Sequence, residues 1–312
     1  MKPHGIMFHH FHDDSEHIRG QGSISAGKLE EMILYLQKSN DILSAGEWMD
    51  KALRGTLKHN ELCLSFDDNL KCQYDIAYPV LQKFGLKAFW FVYTSPLEGK
   101  LEKLEIYRYF RFAYFQDVDD FYNAFFTLAN KSEYGDEVIK SLDNFIPSSY
   151  LKDFSFYTDN DRTFRYLRDQ ILKPTKYHRL MEAMLYEYNI DFDSLKNKLW
   201  MTKENVLELH KKGHKIGLHT HSHPTSTANL DSREQMNEYK TNLQVLSAII
   251  GETPDCMSHP CNSYNHKTIE VLKELHIKLG FRSNMKDNFH SLYEFPREDH
   301  ANILRKMEID VI

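Results

Sequence analysis

No stretch of this chain approaches the roughly 18 consecutive apolar residues that a membrane-spanning helix needs. The opening segment MKPHGIMFHHFHDD has one lysine and no long apolar run, so it does not read as a secretory signal. With Met1 taken as the native start, a cytoplasmic location is expected. Cysteine is scarce: Cys63, Cys72, Cys256 and Cys261 show no C-x-x-C spacing and are expected to remain thiols. Basic runs are missing too, and the net charge is −6, which makes nucleic acid and anionic membrane poor default partners. There is no internal repeat and no low-complexity segment. What remains is a 312-residue chain with 41% apolar and 13% aromatic residues, enough for one large α/β domain or two smaller ones.

Short apolar runs alternate with helical patterns in the first hundred residues. GIMFHHF (5–11), ELCLSF (61–66) and LKAFWFVY (86–93) read as strands, and KLEEMILYLQKS (28–39) as an amphipathic helix. QYDIAYPVLQKFG has apolar spacing near 3.6 and stops at Gly85. Strand, helix, strand at this spacing predicts βαβ units and a parallel sheet. The alternation resumes after residue 200. TKENVLELHKKG (202–213) is a helix begun by Thr202, and HKIGLHT, DCMSHP and KLGFRS are strands. Ser232 and Gln235 form an S-x-x-Q capping box for a helix running to Gly251, and NHKTIEVLKELH is another helix. The count reaches about seven strands, which suggests a barrel or near-barrel. Residues 97–199 differ: Tyr107, Phe110, Tyr114, Phe121, Tyr122, Phe125 and Phe126 crowd a charged, helical stretch. It reads as a helical insertion whose aromatics form its own core. An insertion of this size is expected to roof a pocket or to serve as an oligomerisation surface.

Two clusters carry candidate chemistry. In HTHSHP (219–224), histidines occupy alternate positions before a proline. Along a continuous strand the outer two lie roughly 13 Å apart at ~3.3 Å per residue, whereas imidazole nitrogens must come within ~2.0–2.1 Å of a shared zinc. His219 and His223 can therefore share an ion only if the chain turns between them, while His219 and His221 could share one from a strand. Upstream, strand 61–66 runs directly into Asp67-Asp68, at the strand end where α/β active sites lie. Adjacent residues leaving a strand point in different directions, so one carboxylate can ligate a cation while the other accepts a proton.

LSFDDN followed about 150 residues later by GHKIGLHTHSHP resembles the polysaccharide deacetylase (NodB-homology) family, carbohydrate esterase family 4. The resemblance covers roughly 5–95 and 200–300. It implies a (β/α)7-like distorted barrel formed by 1–96 and 200–312, with 97–199 inserted. It also implies that Asp67 is the catalytic base and that Asp68, His219 and His223 hold a divalent metal, zinc by default. MFHHFHDD (7–14) is similar to the start of deacetylases acting on poly-N-acetylglucosamine, which makes His9 the general acid, with His10 and His12 as competitors. FPREDH (295–300) resembles the late arginine segment of that subgroup, where Arg297 would hold Asp67 ionised. MSHPCNSYN (257–265) departs from the family's R-x-P-[YF]-G: Ser258 replaces the arginine, Cys261 the aromatic and Asn262 the glycine. Ser258, His259 and Cys261 are the candidate substrate-binding residues, and the backbone N–H at Cys261 could keep an oxyanion contact. Asn69 replaces the glycine of the first motif.

The resemblance implies a metal-dependent hydrolase that removes an N-acetyl or related acyl group from a sugar or glycan precursor, with metal-bound water as nucleophile. An O-acetyl esterase or formamide hydrolase would use the same site. An inactive carbohydrate-binding protein would need no base, so Asp67 beside three ligands argues against it. A homo-oligomer is compatible with the sequence; a nucleic-acid partner and an integral membrane segment are not expected.

Overall fold

The computed structural model describes residues 2–13, 15–151, 157–286 and 291–309. The chain divides into two compact units, Met1–Glu102 with Lys196–Ile312, and Lys103–Leu195. The second unit is narrower at both ends than the 97–199 read from composition.

The first unit opens with β1 (His4–Phe8), α1 (Ala26–Gln37), β2 (Asp41–Ile42), α2 (Ala45–Arg54), β3 (Glu61–Asp67), α3 (Tyr78–Lys83) and β4 (Phe89–Val92). The second holds α4 (Lys103–Ala113), α5 (Val118–Lys131), α6 (Gly135–Leu142), α7 (Asp159–Tyr166) and α8 (Lys173–Glu187); α9 (Phe192–Leu199) crosses the boundary in sequence. The first unit then resumes with α10 (Lys203–Lys211), β5 (Lys215–Leu218), α11 (Ser232–Ile250), β6 (Cys256–Ser258), α12 (His266–Glu274), β7 (Leu279–Phe281), β8 (Arg297–Asp299) and α13 (His300–Ile309).

The strands run in the order β7-β6-β5-β4-β3-β1-β8, with the short β2 beside β3. All of these pairings are parallel. Closure comes from one segment: Phe295 bridges Phe281 of β7, and two residues later β8 pairs with β1. The result is the nearly closed, distorted α/β barrel expected from the sequence. A parallel barrel buries its strands on both faces, so they read as continuous apolar runs rather than alternating ones. β1 and β3 are accordingly buried at every position. Phe66 of β3 stacks between Phe8 (5.3 Å) and Trp90 (4.5 Å). Trp48 of α2 packs against Phe89, Phe281 and Phe295 in a second aromatic cluster.

Several local readings change. The helix after β3 begins as a single π-turn, Gln73–Ala77, before α3, and Gly85 ends it with a left-handed φ of 66°. The N-cap of α11 is Asp231 paired with Glu234, rather than Ser232 with Gln235; Gln235 is buried and donates to Leu230 O instead. A carboxylate accepts from the N-terminal amides more strongly than a hydroxyl, which moves the boundary by one residue. β1 ends at Phe8, three residues short of the reading, and β2 and β8 were not foreseen as strands. Their two- and three-residue lengths leave no periodicity to detect. Thr202 caps α10 as expected.

The helical unit has its own aromatic core. Tyr107, Phe110, Phe121, Tyr122 and Phe125 are buried, whereas Tyr114 is exposed and Phe126 only half-buried. Tyr122 donates to Asp161, which also closes the capping box of α7. Among the described residues no helix is long and apolar enough to cross a membrane.

The barrel interior has little slack beside β5. A Cβ added at Gly217 would sit 2.6 Å from the Phe91 ring and 2.9 Å from the Cys256 carbonyl oxygen. Gly217→Ala is therefore expected to destabilise the fold by about 1–3 kcal/mol, the usual range for overpacking. Urea unfolding measures this, and a change within 0.3 kcal/mol of zero, roughly the noise of such comparisons, would mean that this face of the barrel is looser than described.

Candidate active site

β3 delivers Asp67 and Asp68 to the same end of the barrel but turns between their tasks. Asp68 (φ 80°) and Asn69 (φ 56°) both adopt the left-handed conformation, which Asp and Asn tolerate better than other side chains. Asp67 faces inward and is 2% exposed; its two oxygens accept from Arg297 Nη1 (2.6 Å) and Nη2 (2.7 Å). Arg297 is itself fully buried, donates through Nε to Arg282 O (3.0 Å) and reaches Ser65 Oγ (3.2 Å). Burial alone would push the Asp67 carboxyl up. The Arg297 charge and hydrogen bonds, helped by His219 and His9, outweigh it and hold the group below its ordinary value.

Asp68 faces the histidines. Its Oδ1 lies 3.2 Å from His219 Nε2 and 3.2 Å from His223 Nε2. The outer pair meets because the chain turns: Thr220 (φ 63°) and His223 (φ 54°) are both left-handed. The two rings come to 5.0 Å between centroids. Ligand atoms of Asp68, His219 and His223 all lie within 4.8 Å of one another. Burial, which would raise the Asp68 pKa, is again outweighed, here by His223 and His219, and the carboxyl falls well below its ordinary value.

The supports around this trio set ring orientation. His219 Nδ1 lies 3.0 Å from Ser258 O, so it carries the proton and leaves Nε2 as the free lone pair. Ser258 Oγ is 2.7 Å from the same nitrogen. The Tyr93 ring lies 5.0 Å from His223. His221 points away, with Nδ1 2.9 Å from Thr94 Oγ1 and Nε2 3.8 Å from Glu98. The turn itself hangs from α11: Glu238 accepts from the His221 and Ser222 amides (3.0 and 2.8 Å), and Asn242 accepts from the His219 amide (3.0 Å). Asn242 also donates to Val92 O (2.9 Å), tying β4 to β5. Sequence reading missed Glu238 and Asn242. Their signal was a polar pair four residues apart on the buried side of an otherwise amphipathic helix.

His9 lies beside Asp68, with Nε2 4.0 Å from Oδ2 and part of its ring exposed. Of its competitors, His12 is held with Nδ1 2.8 Å from Ser23 Oγ, whereas the His10 ring stacks beside His9 at 6.5 Å between centroids. Asp14 of the same motif lies outside the described residues.

The expected substrate contacts at Ser258 and His259 need correction. Ser258 is wholly buried behind His219, where it orients that ring rather than meeting a ligand. His259 is 1% exposed, donates through Nε2 to Tyr293 O (2.9 Å) and stacks on Tyr264 at 4.0 Å. Burial pushes its pKa down to about 3, so it stays neutral. Cys261, by contrast, is solvent-exposed at the turn after β6. Surrounding protein together with the Asp68, Glu102 and Asp67 carboxylates pushes its thiol up to about 12.

The strand ends of this parallel α/β barrel thus carry two imidazoles and a carboxylate able to hold a cation, beside a buried aspartate held ionised by Arg297. The family model for polysaccharide deacetylase matches residues 174–280, which include both outer histidines. No curated protein matches the chain in sequence. Among solved structures, the deacetylase PplD of Streptococcus pyogenes, determined with acetate, is 15% identical over 98% of both chains, with a TM-score of 0.57. A de-N-acetylase from Aggregatibacter actinomycetemcomitans is 15% identical over 95% of this chain and 93% of that one, with a TM-score of 0.54. IcaB from Ammonifex degensii is 14% identical over 95% and 90%, with a TM-score of 0.53. At such identities these structures speak for the fold. Residues 174–280 are thus similar to polysaccharide deacetylases in sequence, and the chain shares the fold of these three structures.

Removing Arg297 would strand a buried carboxylate. Arg297→Met is expected to cost about 3–5 kcal/mol, the range for losing one member of a buried ion pair. The pH dependence should also invert. In the native protein the depressed Asp67 pKa stabilises the fold above the unfolded value of about 3.9, and that contribution is lost as pH falls through the folded value. In Arg297→Met the carboxyl is raised instead, so stability relative to wild type worsens as pH rises above about 4. Unfolding curves between acid and neutral pH report this; parallel wild-type and variant profiles would contradict it.

Proposed function

We propose that this protein removes the acetyl group from an N-acetylated sugar of a glycan or glycan precursor, using one divalent cation. Asp68, His219 and His223 would hold that cation. The observation that carries the reading is the division of labour at the end of β3: Asp67 is ionised and clamped by Arg297, while its neighbour Asp68 faces two imidazole Nε2 atoms. The donor set suits the ion, because both histidines offer Nε2 and the His219 tautomer is fixed from behind. When bound, the cation supplies Lewis acidity, lowering the pKa of a water and polarising the acyl carbonyl. Zinc is the default for a mixed histidine and carboxylate set.

The chain's own groups do the proton work. Asp67 accepts the proton of the attacking water at a carboxylate oxygen, which retains acceptor capacity beyond the bidentate pair. His9, at the open side of Asp68, donates from its ring to the leaving nitrogen, because an amide anion is not expelled at neutral pH. The balance is amide plus water giving free amine plus acetate. An O-acetyl ester needs no such acid, since an alkoxide leaves more readily; the placement of His9 therefore favours the amide.

The tests separate roles. His219→Ala should lose the metal and the activity together. Asp67→Asn should keep the metal while turnover falls about 10²–10⁴-fold, the usual worth of an acid–base group. Metal analysis with acetate release from N-acetylated and O-acetylated sugar panels reads both. Near-normal turnover in Asp67→Asn would end the assignment of the base. Release from the O-acetylated panel alone would move the activity to esters.

A further inference from the structure

We infer that Gln73 is a positioning residue that fixes the proposed acid and base relative to one another. The inference rests on the roles proposed for Asp67 and His9. Gln73 is wholly buried and opens the π-turn that follows the Asp67-Asp68 segment. Its Nε2 donates two hydrogen bonds, one to the backbone carbonyl of His9 (2.8 Å) and one to that of Asp67 (2.5 Å). The loop after β1 carrying the acid and the tip of β3 carrying the base are thus joined through one amide nitrogen.

The amide's other end explains why this orientation is fixed. Gln73 Oε1 is buried with no hydrogen-bond partner among the described residues. An unsatisfied buried acceptor is costly, and the flipped amide would be worse, setting Oε1 against two carbonyl oxygens. The nitrogen therefore has to face them. π-turns are rare and often occur at functional sites; here the turn places a side chain between two strand ends that β1–β3 pairing no longer holds. That pairing stops at Phe8 and Phe66, one residue short of both His9 and Asp67. Past that point Gln73 supplies the two hydrogen bonds to His9 and Asp67 themselves, and a longer one from Phe11 N–H to Cys72 Sγ (3.4 Å) joins the segments further on. No other residue type serves equally: asparagine is one methylene shorter, glutamate is an acceptor, and methionine fills the volume without donors.

The test is Gln73→Met in the full-length, metal-loaded protein. Because misplacement by about 1 Å can cost 10²-fold, kcat is expected to fall ten- to a hundredfold, with KM and metal content unchanged. In an Asp67→Asn background the same substitution should produce little further loss of residual turnover, because the two act through one arrangement. A purely packing role predicts the reverse: unchanged kcat in the volume-matched methionine variant, or equal losses in both backgrounds. Either result overturns the inference, as does metal loss in step with activity. Should Gln73→Met fail to fold, Gln73→Asn reads the same quantities with the polar group retained. If Asp67→Asn itself proves active, the underlying reading fails; if it is inactive while Gln73→Met is normal, only this inference does.

Discussion

The buried pair between Arg297 and Asp67 is the interaction on which the rest of the centre depends. A carboxylate taken out of water without a partner becomes a neutral acid and cannot accept a proton. Arg297 prevents that, but only because the barrel makes room for a guanidinium at its core. The guanidinium carbon lies 5.5 and 5.8 Å from the Phe91 and Phe281 ring centroids, where the ring faces partly replace lost solvation. Its stem passes β1 where that strand has no side chain: a Cβ at Gly5 would lie 3.1 Å from Arg297 Cγ. The same residue heads β8, so closure of the barrel and ionisation of Asp67 come from one short segment.

Around this pair the centre is held in place by hydrogen bonds from neighbouring strands and from α11. His219 is fixed through Nδ1 by Ser258, and the turn that brings His223 back is fixed by Glu238 and Asn242 from α11. The nearby thiol and imidazole stay uncharged: surrounding protein and the neighbouring carboxylates raise the Cys261 pKa, and burial lowers that of His259. Asp67 and Asp68, with Glu102 acting on His223 as well, surround the histidines with negative charge, which suits a cation site.

Much of this was legible in the sequence, for physical reasons. Strands buried on both faces announce themselves as apolar runs, so β1, β3 and β4 were clear, and Asp67-Asp68 fell at the end of one of them. Geometry from the sequence allowed the His219/His223 pair only if the chain turned, and the two left-handed residues are that turn. What stayed hidden was whatever depends on contacts distant in sequence. β2 and β8 are too short to show a period and exist by pairing with β3 and β1. Ser258 stood at a position where the family pattern suggested substrate contact, but its burial makes it a support for His219. Glu238, Asn242 and Gln73 look like ordinary polar positions on helices until the fold shows which backbone groups they reach. Asp231 displaced Ser232 as a helix cap because both satisfy the pattern and the charged group binds the helix end better.

The central claim is that one cation at Asp68, His219 and His223 activates hydrolysis with Asp67 as base. Reconstitution tests it most directly: strip the protein with a chelator, titrate zinc or another divalent ion, and follow binding and acetate release from an N-acetylated sugar oligomer together. The account predicts that acetate release rises in proportion to occupancy and saturates at one ion per chain. Full activity in the stripped protein, or a fully occupied site with no acetate released from any N-acetylated sugar, would contradict it.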